Sequence, residues 1–330
     1  MKALIVRGPN DVVLDDIDMP VVDVDHVLVE PLVSGLCGTD LEIIAGTIDA
    51  AYVHYPVVLG HEWVGRLAEH PDNGALVVVE GIVPCGVCDE CERGATNRCR
   101  TYDEIGFTRN GALSEFIAVP SHLVHELSTE VSALDAVLTE PMAVVWRALT
   151  RAQVRAGSRC LVIGDGTVAL LGALLLQRFS PASVTMLGLR PAQASLAQQA
   201  GVSDFVTDIA DRRFDYVIEA AGQGPAIATA LAAADRGGFV VLLGLPAHGT
   251  AVNFYPDDVV NNDVIIQGGL SYTRQSWAEV VSLLNDRVIH PSFLVTHHFD
   301  LSQWREALDT LAHAPRDQPR GKVIITLNND

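Results

Sequence analysis

Four of the six cysteines of the chain, Cys85, Cys88, Cys91 and Cys99, lie within fifteen residues of one another. Their spacing is C-x2-C-x2-C-x7-C, and four thiolates complete the tetrahedral coordination of Zn²⁺ without leaving an open position. The loop around them is rich in Gly, Asp, Glu and Arg and has few apolar residues to hold it in place. The pattern therefore indicates a closed, structural zinc site, with two disulfides or four free thiols as the alternatives.

A second set of metal-binding residue types is spread over three short motifs outside this loop. "SGLCGTDLE" contains Cys37, "VVLGHEWVG" contains His61 and Glu62, and "LTEPM" contains Glu140. Taken singly, each residue has a more ordinary interpretation as a packed or solvated side chain. Together they supply a thiolate, an imidazole and up to two carboxylates, and three protein ligands plus water are typical of a catalytic zinc site.

A glycine-rich turn predicts a nucleotide-binding segment farther along the chain. Residues 161–163 are apolar and predict a buried strand, a G-x-G-x-x-A motif starts at Gly164, and an apolar stretch at helical spacing follows. In such a motif the glycines permit a tight turn and a close approach of pyrophosphate, and the helix N-terminus offers amide donors. The predicted cofactor-binding residues are Gly164, Gly166, Thr167, Val168, Gly188, Arg190, Ala221, Gly244 and Leu245.

The end of the next predicted strand indicates which nicotinamide cofactor binds. An NAD-binding fold usually has Asp or Glu about 20 residues after the glycine motif, where it holds the ribose 2′-hydroxyl. Here Gly188 occupies that position and Arg190 follows two residues later. A missing carboxylate removes the repulsion of a 2′-phosphate, and a guanidinium can bind that phosphate. The sequence therefore predicts NADP(H) over NAD(H); the alternative is a solvated Arg190 and use of both cofactors.

Alternating strand and helix patterns must position this nucleotide site. They extend over residues 142–269 and predict an α/β fold with a doubly wound parallel sheet. Residues 1–141 are rich in strand patterns punctuated by Gly and Pro, and they contain both predicted metal sites. Residues 270–330 predict two helices and a final strand.

Taken in order, these motifs resemble those of the zinc-containing medium-chain alcohol dehydrogenases. The resemblance rests on G-x-C-G-T-D at residues 35–40, on Gly-His-Glu at 60–62, on the four cysteines, on "GALSEFIAVP" and on the nucleotide motif. The Glu-Pro pair at 140–141 is similar to the polyol, sugar and threonine dehydrogenase branches. The resemblance implies a GroES-like catalytic domain over 1–141, a Rossmann domain over 142–269, and a return of 270–330 to the first domain.

The resemblance also implies roles for individual residues. Cys37 and His61 would be fixed zinc ligands, while Glu62 and Glu140 would be the carboxylates near the metal, one direct and one through water or in exchange. Thr39 would carry the substrate proton first, because its hydroxyl both donates and accepts. Many relatives have histidine three residues later, where this chain has Glu42. Glu42 is therefore either the second proton carrier or a solvated side chain.

Composition excludes some kinds of partner. The 330 residues carry a formal net charge of −19, which argues against nucleic acid and against anionic membrane surfaces, since both attract Lys and Arg. No apolar run approaches the ~20 residues that span a bilayer. The amino-terminal residues read as a strand and lack a signal-peptide layout, so we expect a cytoplasmic protein. By the resemblance it would be a homodimer or a homotetramer.

The sequence thus predicts an enzyme with two zinc ions per chain. It would transfer a hydride between NADP(H) and a small-molecule secondary alcohol or carbonyl compound, such as a polyol, sugar or aminocyclitol. The alternative is a zinc-free quinone or enoyl reductase, or a non-catalytic relative on the same scaffold. Such relatives usually lack equivalents of Cys37, of His61 and of the four-cysteine loop.

Overall fold

The computed structural model describes residues 1–69, 74–247, 249–313 and 315–327. The strands are β1 (Lys2–Gly8), β2 (Asp11–Asp16), β3 (His26–Leu36), β4 (Val57–Val58), β5 (Glu62–Leu67), β6 (Leu76–Val79), β7 (Ile117–Pro120), β8 (Val124–Glu126), β9 (Arg159–Ile163), β10 (Ser183–Leu187), β11 (Asp204–Val206), β12 (Phe214–Glu219), β13 (Ala234–Leu242), β14 (Ile265–Gly268), β15 (Val295–Asp300) and β16 (Lys322–Thr326). The α-helices are α1 (Gly38–Ala45), α2 (Asp89–Glu92), α3 (Ala133–Ala136), α4 (Thr139–Ala152), α5 (Thr167–Leu176), α6 (Ala194–Gln199), α7 (Gly224–Ala233), α8 (Pro256–Asn261), α9 (Arg274–Asn285) and α10 (Trp304–His313).

The chain divides into two compact units. The first unit contains Met1–Glu140, Tyr272–Ala314 and Lys322–Asp330, and the second contains Pro141–Ser271 and Pro315–Gly321. All of 270–330 is predicted for the first domain, but residues 270–271 and 315–321 lie in the second unit. Residues 315–321 lie with the second unit because the side chain of Gln193 forms hydrogen bonds with both the backbone N–H and the carbonyl oxygen of Arg320.

The first unit is built on mostly antiparallel sheets. A seven-stranded sheet has the order β15-β16-β3-β5-β6-β8, with β7 also paired to β3, and a three-stranded sheet has the order β2-β1-β4. The long strand β3 is central because β5, β7 and β16 all pair with it in antiparallel register. Its last residues are buried, and β5 begins beside its end, with Gly35 opposite Glu62. The start of α1 and the start of β5 are therefore neighbours.

The second unit contains the predicted doubly wound sheet. Its six strands are parallel in the order β11-β10-β9-β12-β13-β14. Parallel strands need crossover connections, which the intervening helices supply, and the apolar runs of β9 and β12 are buried as a two-faced sheet requires. The carboxyl ends of β9, β10, β12 and β13 meet at one edge, where the predicted cofactor residues follow. Across the described ranges, the model contains no helix that is both long enough and apolar enough to span a bilayer.

Candidate active site

Cys37 lies where β3 ends and α1 begins, and Asp40 fixes the backbone there. The N–H of Cys37 donates to Oδ2 of Asp40 at 2.8 Å, and the Asp40 side chain is fully buried. An acidic side chain in the first turn of a helix also lies near the positive end of the helix dipole. The buried Asp40 carboxylate thus fixes the backbone that carries the Cys37 thiol.

His61 approaches the same carboxylate from the neighbouring strand. It follows Gly60, whose φ is +102°, and a Cβ at Gly60 would lie 2.6 Å from the backbone nitrogen of Leu113, so only glycine fits. Nδ1 of His61 lies 3.4 Å from Oδ1 of Asp40. Burial opposes protonation of His61, but the Asp40 carboxylate outweighs it and raises the pKa of His61 well above its usual value. Asp40 therefore orients both Cys37 and His61.

Three of the predicted ligands come together at this junction. The thiol of Cys37, a ring nitrogen of His61 and a carboxylate oxygen of Glu62 all lie within 4.8 Å of one another. Zinc bonds to such atoms are about 2.0–2.3 Å long, so donors this close can share one ion. The donor set of a thiolate, an imidazole and a carboxylate fits a metal ion.

Glu62 also has a cationic partner within the chain. Nζ of Lys322 donates to Oε2 of Glu62 and, at 3.2 Å, to the carbonyl oxygen of Leu36. The Lys322 and Glu62 side chains are only 3% and 2% exposed. The sequence analysis did not single out Lys322, which follows the glycine before the last strand and carries no motif. A metal ion at this site would either share the Glu62 carboxylate with Lys322 or displace Lys322 from that carboxylate.

Glu140, the fourth predicted ligand, lies in the first turn of α4 and is not in the three-residue group. Burial, together with the neighbouring Glu62 carboxylate, raises the pKa of Glu140 to about 8. His61 and Lys322 oppose that rise, so Glu140 interacts electrostatically with the group. The structure therefore brings three of the four predicted ligands to within sharing distance and leaves Glu140 near them.

The two predicted proton carriers lie on consecutive turns of α1. Oγ1 of Thr39 is 3.6 Å from the Cys37 thiol, and the Thr39 side chain is half-buried. Glu42 lies three residues later, on the same side of the helix, and is exposed to solvent. The arrangement can carry a proton from the metal-binding group through the Thr39 hydroxyl towards water.

The loop at residues 102–110 contributes side chains that the sequence analysis missed. Glu104 is buried and accepts a hydrogen bond from the hydroxyl of Tyr102. Burial raises the pKa of Glu104, while the Tyr102 hydrogen bond and the charge of His61 oppose the rise. The ring of Phe107 lies 5.1 Å from the imidazole of His61. One acidic residue in an irregular loop carries no spacing signal, so sequence reasoning could not find it.

The four cysteines of the loop form a second cluster. Sγ of Cys88 lies 3.5 Å from Sγ of Cys91, which lies 4.0 Å from Sγ of Cys85, and the N–H of Cys85 donates to Sγ of Cys99 at 3.3 Å. None of the six cysteines, all of which are in the described ranges, is in a disulfide. The two disulfides considered from the sequence are therefore absent.

The surroundings of these thiols lower the pKa of Cys88 and raise the pKa of Cys91. Hydrogen bonds from the backbone N–H groups of Arg100 and Cys91 lower the pKa of Cys88 to about 6. Burial and the adjacent thiols raise the pKa of Cys91 to about 12. Four thiolates this close repel one another unless a cation lies between them. The cluster therefore fits Zn²⁺ with no open position.

The glycine turn of the second unit leaves room beside the start of α5. Gly164 has φ +113°, and a Cβ there would lie 3.2 Å from the backbone of Ala220, whereas a Cβ at Gly166 would meet no atom within 4 Å. Gly166 is the N-cap of α5, and Thr167 and Val168 are its first two residues. Free backbone N–H groups at a helix start beside open space fit a phosphate group.

Glu219, the last residue of β12, bonds to both of the turns that follow β12 and β13. Oε1 of Glu219 accepts from the N–H groups of Ala221 and Gly222 at 2.8 and 2.9 Å, and the carbonyl oxygen of Glu219 accepts from Gly244 at 3.1 Å. Burial raises the pKa of Glu219, and the amide hydrogen bonds oppose the rise. Ala221, after β12, and Leu245, after β13, are exposed at this edge. The sequence analysis did not single out Glu219, which holds two of the predicted cofactor turns together.

The turn after β10 contains Gly188 and Arg190. A Cβ at Gly188 would lie 2.6 Å from the ring of Phe205 and 2.8 Å from Cβ of Asp165, so no larger residue fits there without a shift. Arg190 is only 13% exposed and pairs with Asp165, its terminal nitrogen lying 2.7 Å from Oδ1. Asp165 stands at a variable position of the glycine motif, and the structure makes it the partner of Arg190.

Comparison with known proteins identifies the fold. Residues 23–129 match the family model of the alcohol dehydrogenase GroES-like domain, and residues 133–314 match that of the glucose dehydrogenase C-terminus. The second match alone covers more than half of the chain. The chain belongs to the zinc-type medium-chain alcohol dehydrogenase family. It is an oxidoreductase, as the sequence analysis predicted, and its α/β fold with a GroES-like domain and a Rossmann sheet is confirmed.

Named relatives of this medium-chain dehydrogenase include dehydrogenases of sorbitol, D-altritol and L-threonine. Sorbitol dehydrogenase of Bacillus subtilis is 26% identical over 329 residues, which cover 94% of this chain and 93% of that protein. D-altritol 5-dehydrogenase of Agrobacterium fabrum is 29% identical over 324 residues, covering 93% and 94%. L-threonine 3-dehydrogenase of Legionella pneumophila is 26% identical over 348 residues, covering 98% and 99%.

Solved structures share the fold of this medium-chain dehydrogenase over its whole length. A zinc-binding dehydrogenase from Sinorhizobium meliloti bound to NADP has a TM-score of 0.90 at 23% identity, covering 99% of each chain. Galactitol-1-phosphate dehydrogenase from Escherichia coli has a TM-score of 0.86 at 24% identity, covering 99% of this chain and 100% of that one. At these identities the likeness establishes the fold alone.

Proposed function

We propose that this chain is a zinc- and NADP(H)-dependent dehydrogenase that interconverts a secondary alcohol and its carbonyl compound. The observation that carries the proposal is the group of Cys37, His61 and Glu62, whose ligand atoms lie within 4.8 Å of one another. The names of the sorbitol and D-altritol relatives support a polyol as substrate, with a sugar or an aminocyclitol as further candidates. We propose the NADP(H) preference separately below, because it rests on other residues.

Two zinc ions per chain fit the two clusters of ligands. Cys37 and His61 would hold the catalytic ion with a carboxylate of Glu62, while Glu140 would act through water or in exchange with Glu62. Cys85, Cys88, Cys91 and Cys99 would hold the structural ion. When bound, zinc at the first site supplies Lewis-acid polarisation of the substrate oxygen, and the nicotinamide ring supplies the hydride chemistry.

The chain's own residues would hold the substrate proton. Thr39 can donate a hydrogen bond to the substrate oxygen or accept its proton, since a hydroxyl does both. Asp40 holds Cys37 and His61 in place, because its Oδ2 faces Cys37 and its Oδ1 faces His61. Glu42 would release the proton to water from the exposed side of α1. Thr39→Val is therefore expected to lower kcat by about 10²–10⁴-fold without loss of zinc, whereas Thr39→Ser retains most activity.

The preference for NADP(H) is supported by the turn after β10. Gly188 has no room for the carboxylate that would hold a 2′-hydroxyl and repel a 2′-phosphate. Arg190 lies two residues later with its guanidinium at the same turn. We expect a lower KM for NADPH than for NADH in steady-state assays. Equal KM values for the two cofactors would contradict the preference.

We also propose a homodimer or homotetramer in the cytoplasm. The edge strand β14 of the second unit exposes the apolar side chains of Ile265 and Ile266, and sheet edges of this kind pair with other chains. Free rather than disulfide-bonded cysteines suit a reducing compartment. Light scattering coupled to size-exclusion chromatography measures the assembly directly, and a monomer would contradict it.

The experiment that tests the proposed reaction combines metal analysis with a substrate screen. Zinc-loaded protein is assayed against polyols, sugars, amino alcohols and simple alcohols with both cofactors, and zinc is counted per chain. Cys160, which is buried in β9 and belongs to neither cluster, provides the matched control for cysteine removal. We expect two zinc ions in wild type and Cys160→Ala, and one with no turnover in Cys37→Ser. Full turnover by Cys37→Ser would overturn the proposal.

A further inference from the structure

Three turns at the carboxyl edge of the nucleotide sheet are in backbone contact with one another. A Cβ at Gly164, in the turn after β9, would lie 3.2 Å from backbone atoms of Ala220 and Ala221, in the turn after β12. On the other side, a Cβ at Gly222 would lie 2.8 Å from the carbonyl oxygen of Leu245, in the turn after β13. Because glycine has no Cβ, the backbones can approach this closely. The turn after β12 is therefore packed between the other two.

Glu219 fixes this middle turn from the buried side. Its side chain is fully buried, and Oε1 accepts hydrogen bonds from the N–H groups of Ala221 and Gly222 at 2.8 and 2.9 Å. Both N–H groups lie beyond the last residue of β12, so the carboxylate replaces the ladder of the sheet as their acceptor. Oε2 faces the third turn, because a Cβ at Gly244 would lie 2.7 Å from it.

The direction of these hydrogen bonds decides which backbone groups the turn offers to a ligand. The peptide units 220–221 and 221–222 are trans. In a planar trans peptide unit the N–H and C=O groups point in opposite directions. Because both N–H groups point inward to Glu219, the carbonyl oxygens of Ala220 and Ala221 point away from it. Ala221 is exposed at this edge, so the turn presents acceptors rather than donors.

The order of the strands indicates which half of the cofactor these acceptors would meet. In a doubly wound sheet the pyrophosphate lies at the glycine turn, and the residue after the second strand holds the adenosine ribose. Here those two positions follow β9 and β10. Since β12 and β13 lie on the opposite side of β9 from β10, the other nucleoside, nicotinamide riboside, would extend over their turns. Its ribose hydroxyls and its carboxamide NH₂ are hydrogen-bond donors.

We propose that Glu219 is a positioning residue for the nicotinamide half of the cofactor. By binding the N–H groups of Ala221 and Gly222, it directs the carbonyl oxygens of Ala220 and Ala221 towards the donors of nicotinamide riboside. The inference rests on the proposed dehydrogenase function and adds to it a buried residue that acts without touching the cofactor. Removal of the carboxylate leaves both N–H groups without their acceptor, so the two carbonyl oxygens lose their fixed direction.

The test compares NADPH with 2′,5′-ADP, the adenosine half of the same cofactor, by calorimetric titration into the purified full chain. Glu219→Leu is expected to weaken NADPH at least about tenfold and 2′,5′-ADP less than about twofold, because two buried hydrogen bonds of the turn are lost. Glu219→Gln keeps an acceptor oxygen and should stay within about threefold of wild type for both ligands. The fluorescence of bound NADPH, which reports the surroundings of the reduced nicotinamide, should change in Glu219→Leu and not in Glu219→Gln.

Asp215→Asn is the matched control for loss of a carboxylate from the same strand. Asp215 lies near the amino end of β12, where it pairs with Arg159. The substitution removes that ion pair and should leave both affinities unchanged. Glu219→Asp withdraws the carboxylate from the turn by one methylene and keeps the test decisive if Glu219→Leu does not fold. It is expected to weaken NADPH about threefold or more with 2′,5′-ADP unchanged.

The outcomes separate this inference from the proposed function. A Glu219→Leu or Glu219→Asp variant that weakens both ligands equally, or neither, would overturn the role of Glu219 and leave the proposed function intact. A wild-type chain that binds neither NADPH nor NADH would instead overturn the proposed function. Neither result depends on zinc or on turnover.

Discussion

Removing Lys322 should destabilise the first unit more than any single surface change. Lys322 and Glu62 are 3% and 2% exposed, and their ion pair joins the last strand to the start of β5. Breaking a buried pair by deleting one partner typically costs about 3–5 kcal/mol, because the remaining charge has lost both water and its partner. For a unit of this size each kcal/mol lowers Tm by about 2–4 °C, so Lys322→Met should lower Tm by about 6–20 °C.

The assay is differential scanning calorimetry of protein stripped of metal by a chelator, so that zinc cannot replace the missing cation. The chain offers a matched control, because Lys2 is its only other lysine and forms an exposed pair with Asp16 at 3.5 Å. Lys2→Met should change the free energy of unfolding by less than about 0.5 kcal/mol.

A double variant separates the lost attraction from the stranded charge. Glu62→Met combined with Lys322→Met removes both charges of the pair, so that neither is left without its partner, and should recover at least half of the lost stability. The reasoning would be refuted by a Tm of Lys322→Met within 2 °C of wild type, or by a double variant that is less stable than the single one.

Three further predictions concern the metal sites, an ion pair and the cofactor turn. Cys37→Ser should lose one zinc and at least about 100-fold in kcat at nearly unchanged Tm. Cys91→Ser should lose the other zinc and have a lower Tm. Metal analysis and calorimetry measure these effects, and a variant that keeps both ions would contradict the assignment. Arg159 lowers the pKa of Asp215 by hydrogen bonding and charge, so its stabilisation is present above the ordinary Asp pKa of about 4 and disappears as pH falls through the lowered value. Arg159→Met should therefore cost about 0.5–1 kcal/mol near pH 7, and this cost should disappear as pH falls through the lowered pKa of Asp215. Urea unfolding that gives the same cost in neutral and in strongly acidic buffer would argue against it. Gly188→Asp should cost about 1–3 kcal/mol, because a Cβ there lies 2.6 Å from an aromatic ring; an unchanged Tm together with a switch to NADH would show that the turn has room after all.

Much of the architecture could be predicted from local patterns. The strands β9, β10 and β12 and the second half of β13 are largely apolar runs near glycine-containing turns, and the helices α9 and α10 have the expected spacing of apolar residues. The sequence analysis did not identify β15, whose "VTHHFD" mixes polar and apolar residues and is a strand because it pairs with β16. It also did not identify α1, a helix of eight residues that a buried carboxylate in its first turn supports. Short elements depend on tertiary partners more than on propensity.

Residue spacing by itself determined the four-cysteine loop, the glycine motif and the residue types of the candidate metal site, because those residues are close along the chain or stand in recognisable motifs. Only the tertiary structure decided that Lys322 pairs with Glu62 and that Gln193 binds the backbone of Arg320. These pairs are separated by 260 and 127 residues, and a single basic or amide residue carries no periodic signal at such a distance. Their partners are set by strand pairing and burial, which demand that each buried polar group be satisfied but do not mark, in the sequence, the residue that satisfies it.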